Sequence, residues 1–163
     1  MPAIDIRTYP RTGFDELQIT GNSASTTLNA KICQAQVGLI PTAAGTTVAN
    51  MLAPFAGTLV AARFVATDAL TTHDTNFLTW GVINKGTGAG STAMLAATAA
   101  NTTKITGGSA LVAFTPRTLT LSATAGNLVV AANDCLTATF IGGGTLANTI
   151  SGGYIQLIFT CLG

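Results

Sequence analysis

From residue 30 onward, hydrophobic and polar positions alternate through most of the chain. A period of two is the signature of a half-buried β-strand. Over residues 31–40 the alternation sets Cys33, Ala35, Val37 and Leu39 on one face and Gln34 and Gln36 on the other, and Pro41 ends the run. The same pattern predicts a strand over 57–66. It predicts another over 77–85 with Leu78, Trp80 and Val82 inward. A third, over 135–141, turns Leu136, Ala138 and Phe140 inward, and a last one, over 154–162, buries Ile155, Leu157, Phe159 and Cys161. Residues 110–122 alternate on either side of Pro116, with Val112 and Phe114 sharing one face and Leu119 and Leu121 sharing another.

The intervals carry turn residues. Residues 42–47 read as a loop of small side chains, and 86–90, Gly107-Gly108, Asn133-Asp134 and Gly142-Gly143-Gly144 read as turns. Asp134 has a specific reason to sit in its turn, since its carboxylate can bond nearby backbone N–H groups. Residues 127–131 form a short apolar piece. Residues 91–103 mix helix-favouring Ala, Met and Leu with Thr, and read as a short strand or irregular edge. The sum is about eight short strands with no interleaved helices. That excludes a parallel α/β sheet and predicts an all-β, antiparallel, jelly-roll-like β-sandwich, with an immunoglobulin-like sandwich as second choice.

The first 28 residues differ. Five of the thirteen charged residues fall within the first sixteen positions, together with Pro2, Pro10 and Gly13. A polar connector follows at 21–27. Residues 1–28 therefore read as an extended N-terminal arm, and 29–163 as the sandwich body.

Composition narrows the function. Charged residues make up 8% of the chain against roughly 25% in ordinary soluble domains, while apolar residues make up 48%. A net charge of +1 supplies no field to attract nucleic acid or an anionic membrane. It also leaves little repulsion between copies, which points to a stable oligomer or a permanent partner. The positive mean hydropathy comes from short runs rather than from the ~18 apolar residues of a spanning helix. One Trp and two Tyr are too few for the aromatic girdles of a membrane barrel. The opening Met1–Arg7 lacks the apolar region of a secretory signal. Three widely spaced cysteines, Cys33, Cys135 and Cys161, fit neither a disulfide framework nor a zinc site, and read as small core residues in a reducing cytoplasm.

No constellation points to catalysis, cofactor or metal. His73 lies beside Asp74, but adjacent residues of an extended chain point apart, and no nucleophile motif accompanies them. A surface loop is the simpler place for His73. Asp68 and Asp74 flank one loop and are the only acids suited to a calcium cage. The glycine clusters lack the lysine and following helix of a phosphate loop. Trp80 and Tyr154 are the aromatics that could stack on a sugar, although a single aromatic in a sandwich belongs more often to the core.

Three stretches, residues 53–64, 119–134 and 152–159, resemble the β-sandwich bodies of tailed-bacteriophage head decoration (cement) proteins. The carrying phrases are Pro54-Phe55-Ala56-Gly57-Thr58 before one strand and Ala132-Asn133-Asp134-Cys135-Leu136-Thr137 before the penultimate strand, with Asn133 where the pattern has Gly. The likeness covers roughly residues 50–163, and such phrases also occur in phage fibre and baseplate modules. It implies a virion structural protein on the capsid exterior, assembled in the host cytoplasm. Its partners would be the major capsid protein and itself, as a homotrimer, with no nucleic acid, no membrane and no cofactor. Arg7, Tyr9, Arg11, Phe14 and Leu17 of the arm are then the expected capsid contacts. The competing expectation is a receptor- or carbohydrate-binding β-sandwich module.

Overall fold

The computed structural model describes residues 28–162. Residues 1–27 of the arm, with Arg7, Tyr9, Arg11, Phe14 and Leu17, lie outside the described residues, and Leu28 opens the first strand. Nine strands run in order: β1 (Leu28–Val37), β2 (Gly45–Leu52), β3 (Gly57–Ala66), β4 (Phe77–Gly86), β5 (Thr92–Ala93), β6 (Arg117–Leu119), β7 (Val129–Val130), β8 (Cys135–Gly143) and β9 (Gly153–Leu162). Two 3-10 turns, Ala99–Asn101 and Ala125–Leu128, are the only helical pieces among the described residues.

The strands form two antiparallel sheets. One has the order β1-β9-β3-β6, with β7 also on β3, and the other has the order β2-β8-β4-β5. The chain crosses from one sheet to the other at each of the first four strands. All pairings between named strands are antiparallel.

Alternation decides which side chains meet between the sheets. Leu59, Ala62, Phe64, Ile155, Leu157 and Phe159 come from the first sheet, and Leu78, Trp80, Val82, Leu136, Ala138 and Phe140 from the second. Phe64 is the hinge of the packing: its ring centroid lies 4.9 Å from that of Phe140 and 6.0 Å from that of Trp80. Burying each such ring contributes roughly 2–3 kcal/mol. This is the all-β sandwich that the period-two pattern predicts.

Four local departures have physical causes. Val60 is an extra residue at a bulge between Leu59 and Ala61, so it faces solvent. β1 stops at Val37, and Gly38 resets the parity, which exposes Leu39 and buries Ile40. Residues 45–47, expected as loop, open β2, because pairing with β8 recruits a stretch of weak intrinsic preference. Val112 and Phe114 do not face the core. Leu111 does, bridged to Leu70, and Phe114 turns out at φ 57. Asn133 adopts φ 71 in its tight turn, a left-handed conformation that Asn tolerates nearly as well as Gly.

Candidate functional site

The connections gather at the two ends of the sandwich. At one end, residues 38–44, 67–76, 94–116 and 144–152 are tied to each other by backbone and side-chain bonds. Ile40 pairs with Ile150, the Leu146 N–H donates to Thr42 O, and the Thr67 N–H donates to Gly152 O. The Ser151 N–H donates to Asp68 Oδ2 at 2.6 Å, and Thr67 Oγ1 donates to the same oxygen at 2.8 Å. These bonds hold the Asp68 carboxyl below its ordinary pKa, the Ser151 N–H being the larger cause. At the other end Asp134 accepts from the Ala131 N–H and from Asn84 Nδ2, both at 2.8 Å. Its expected turn-bonding role is what the structure shows.

The two outer faces differ in chemistry. Across the first sheet, register lines up Gln36 with Tyr154 and Val65, and Gln34 with Gln156, Arg63 and Thr118. Across the second, Val48 lines up with Thr139 and Gly81, Thr46 with Ile141 and Thr79, and Asn50 with Thr137 and Ile83. Leu52 and Phe77 stand at the margins. Lys85 is the single charged residue in the four strands of this sheet, and Val48, Leu52 and Ile141 are exposed on it. The second sheet therefore presents a broad surface of threonine and aliphatic side chains, whose hydroxyls cost far less to desolvate than charges would.

Beside β4 the chain builds a cavity of about 310 Å³. Phe77, Thr79 and Trp80 line it from the strand, and Ala96, Ala97, Thr98, Ala99, Asn101, Thr102 and Lys104 line it from the following segment. That segment is not regular, so side chains hold it. Asn101, 1% exposed, donates through Nδ2 to Ala96 O and Thr120 O, both at 2.8 Å, and accepts the Thr120 N–H at 2.7 Å. Thr103 Oγ1 accepts the Leu78 N–H at 2.9 Å. Arg117 acts as a second staple. Its guanidinium lies 4.5 Å over the Trp80 ring and donates to Ala100 O at 2.8 Å, to Thr102 O at 2.9 Å and to the Ser109 carbonyl. Burial lowers its pKa, and carbonyl acceptors compensate the charge. Among the described residues, two buried donors, Trp80 Nε1 and Arg117 Nε, find no acceptor. Lys104 Nζ stands 4.3 Å over the Phe77 ring.

The polar residues singled out from sequence do not converge. The exposed His73 turns Nδ1 back on its own loop, where it accepts the Thr75 N–H at 3.1 Å and the Asn76 N–H at 3.0 Å. Asp74 accepts the Thr106 N–H, whereas Asp68 is held by Ser151, so the two acids serve different backbone groups. Among the described residues no three His, Cys, Asp or Glu side chains group as metal ligands. Among the same residues no helix is long and apolar enough to cross a membrane. Trp80 is 2% exposed and belongs to the core. Cys33 and Cys161 are buried and Cys135 half-buried. Asn101, Thr103 and Arg117 escaped sequence reasoning, because each acts on groups remote in sequence. Comparison with protein-family models, with curated proteins and with solved structures finds no match to this chain.

Proposed function

We propose that this chain is a virion structural protein. In this reading it is a jelly-roll sandwich that decorates and reinforces an icosahedral phage capsid as a homotrimer, bound to the outer surface of the major capsid protein. The observation that carries the association part is the outer face of β2, β8 and β4. Three adjacent strands present Thr, Val, Ile, Leu and Asn with Lys85 as their one charge. Such a face suits permanent packing against protein without stranded charges. The strand orders β1-β9-β3-β6 and β2-β8-β4-β5, reached by a chain that alternates between sheets, support the jelly-roll reading. The capsid itself enters through the resemblance of residues 50–163 to decoration proteins. A trimer would multiply weak contacts, raising avidity by roughly 10²–10⁴-fold over a single site. The arm, through Arg7, Tyr9, Arg11, Phe14 and Leu17, would supply some of those contacts.

The test is co-sedimentation with purified phage shells that lack the protein. The full chain is expected to pellet with the shells, and a chain without residues 1–28 to stay in the supernatant. A full chain that never pellets contradicts the capsid reading, and a truncated chain that still pellets removes the arm's role. For the glycan-binding alternative, Trp80 is buried and unavailable for stacking on a sugar, which leaves the half-buried Tyr154 of the two aromatics named for that role.

A further inference from the structure

The sheet edges are β1, β2, β5 and, one after the other along β3, β6 and β7. An open edge invites pairing with further strands, and short strands or lysines are common means of preventing it. β5, β6 and β7 are two or three residues long, and β1 carries Lys31. β2 has neither protection. Its eight residues include no charge and no proline, and its register with β8 is unbroken. Just past its end the Ala53 N–H donates to Asp134 O at 2.9 Å. Odd-numbered residues of β2 therefore bond to β8, and Thr46, Val48 and Asn50 turn their N–H and C=O groups to the open side. Among the described residues nothing bonds to those backbone groups. Val48 and Leu52 on this strand are 53% and 63% exposed.

The chain that precedes Leu28 has the length and the pattern to fill this edge. Residues 38–44 join β1 to β2 at one end of the sandwich, so Leu28 and Leu52 both stand toward the other end. Cys33 Sγ lies 3.9 Å from Leu52 O. Leu28, five residues earlier, is thus about 17 Å beyond Leu52 along the strands. Crossing between the sheets adds about 10 Å, which makes the separation ~20 Å. The seven connector residues 21–27 reach about 23–25 Å when extended. Residue 20 can therefore stand beside Leu52, with the residues before it lying along β2 and running in the same direction. The opposite direction would put residue 20 beside Gly45, about 23 Å farther away, beyond the connector's reach. Residues 16–20 alternate, Leu17 and Ile19 against Glu16, Gln18 and Thr20, without Gly or Pro, and this is the pattern of a half-buried strand.

We propose that the open edge of β2 is the docking site for residues 16–20 of the same chain, which add to the second sheet as a parallel fifth strand. The backbone groups of Thr46, Val48 and Asn50 gain partners. Leu17 and Ile19 pack beside the buried Ala49 and the half-buried Met51. Glu16 gives the new edge the charge that β2 lacks. Leu17 then serves the sandwich, and Arg7, Tyr9, Arg11 and Phe14 remain for the capsid. The idea does not rest on the capsid reading, which shell binding measures separately.

Amide hydrogen exchange, read residue by residue by NMR on the full-length protein, tests it. The variant combines Leu17→Asp with Ile19→Asp, which removes the apolar face of the added strand and leaves the described sandwich untouched. The Val48 and Asn50 amides are expected to exchange at least roughly 10-fold faster in the variant than in the wild type. The Thr47, Ala49 and Met51 amides, bonded to β8, are expected to keep their rates and so report that the fold is intact. Edge amides that exchange at open-chain rates in the wild type would overturn the proposal, as would equal protection in both proteins. A second mixture separates the chain's own segment from a neighbour's. Isotope-labelled variant chains are refolded with unlabelled wild-type chains, and their Val48 and Asn50 amides are expected to stay unprotected. Protection there would assign the edge to a second copy and overturn the in-chain docking.

Discussion

Replacing Asn101 by alanine probes the segment that walls the cavity, and its cost can be worked bond by bond. The amide makes three hydrogen bonds. Two of its partners keep another donor after the change: Ala96 O still accepts the Thr98 N–H at 2.9 Å, and Thr120 O still accepts the Ala96 N–H at 3.0 Å. Those two losses cost about 0.5–1 kcal/mol each. The Thr120 N–H loses its Asn101 acceptor in a part-buried setting, which costs about 1–2 kcal/mol. The sum is ~3 kcal/mol. For a chain of this size, that is a fall in melting temperature of roughly 6–12 °C. In urea, with a slope of about 2 kcal/mol/M, the midpoint falls by about 1.5 M. Asn101→Asp is the geometric control. It keeps an acceptor for the Thr120 N–H but sets a second oxygen against two carbonyl oxygens, so at neutral pH it should destabilise at least as much as alanine. Both variants are to be unfolded in urea and followed by circular dichroism. A loss below about 1 kcal/mol for Asn101→Ala would refute the view that this amide holds the segment.

Other consequences follow from single contacts. Asp68 has a depressed folded pKa, so the stability it contributes is present above its unfolded value near 3.8 and is lost as pH falls through the lower folded value. Asp68→Asn should flatten the pH dependence of the melting temperature in that acid window, and an unchanged profile would contradict the Ser151 and Thr67 bonds. Arg117→Lys keeps the charge but cannot serve the Ala100, Thr102 and Ser109 carbonyls from one planar fork. A loss of about 1–3 kcal/mol is expected in thermal unfolding, and a neutral substitution would show that the carbonyls find other donors. The Cys33 thiol is pushed up to about 11 by burial and by the nearby Cys161. Alkylation of native protein at pH 8, read by peptide mass, should therefore label the half-buried Cys135 well before Cys33, and the reverse order would be inconsistent with the packing.

The strands were legible where one face is buried and the other is not. For β4, β8 and β9 the alternation gives both extent and inward face, because Leu78, Trp80, Val82, Leu136, Ala138 and Phe140 leave only one register that buries them; for β3 it gives the extent, while the bulge at Val60 shifts the inward face partway along. It failed where parity is reset. Gly38 does so before Leu39, and the positive φ of Phe114 does so in a stretch that otherwise reads as strand. β2 was half hidden, since Gly45-Thr46-Thr47 carries no apolar signal and is ordered by its partner β8. The cavity was not legible at all. Its wall is irregular backbone held by Asn101, Thr103 and Arg117, whose partners lie up to 25 residues away. No local pattern encodes such bonds. The polar residues that did draw notice, His73, Asp68 and Asp74, turned out to cap loops. The neutral second-sheet face was foreshadowed only in bulk, by the shortage of charge.

The proposed function requires that copies of this sandwich associate. The most direct measurement is the mass of the full chain in solution by sedimentation equilibrium across a dilution series. The account predicts a stable species at three times the chain mass of 16.4 kDa, persisting into the low micromolar range. A single species at the chain mass at every concentration would contradict it.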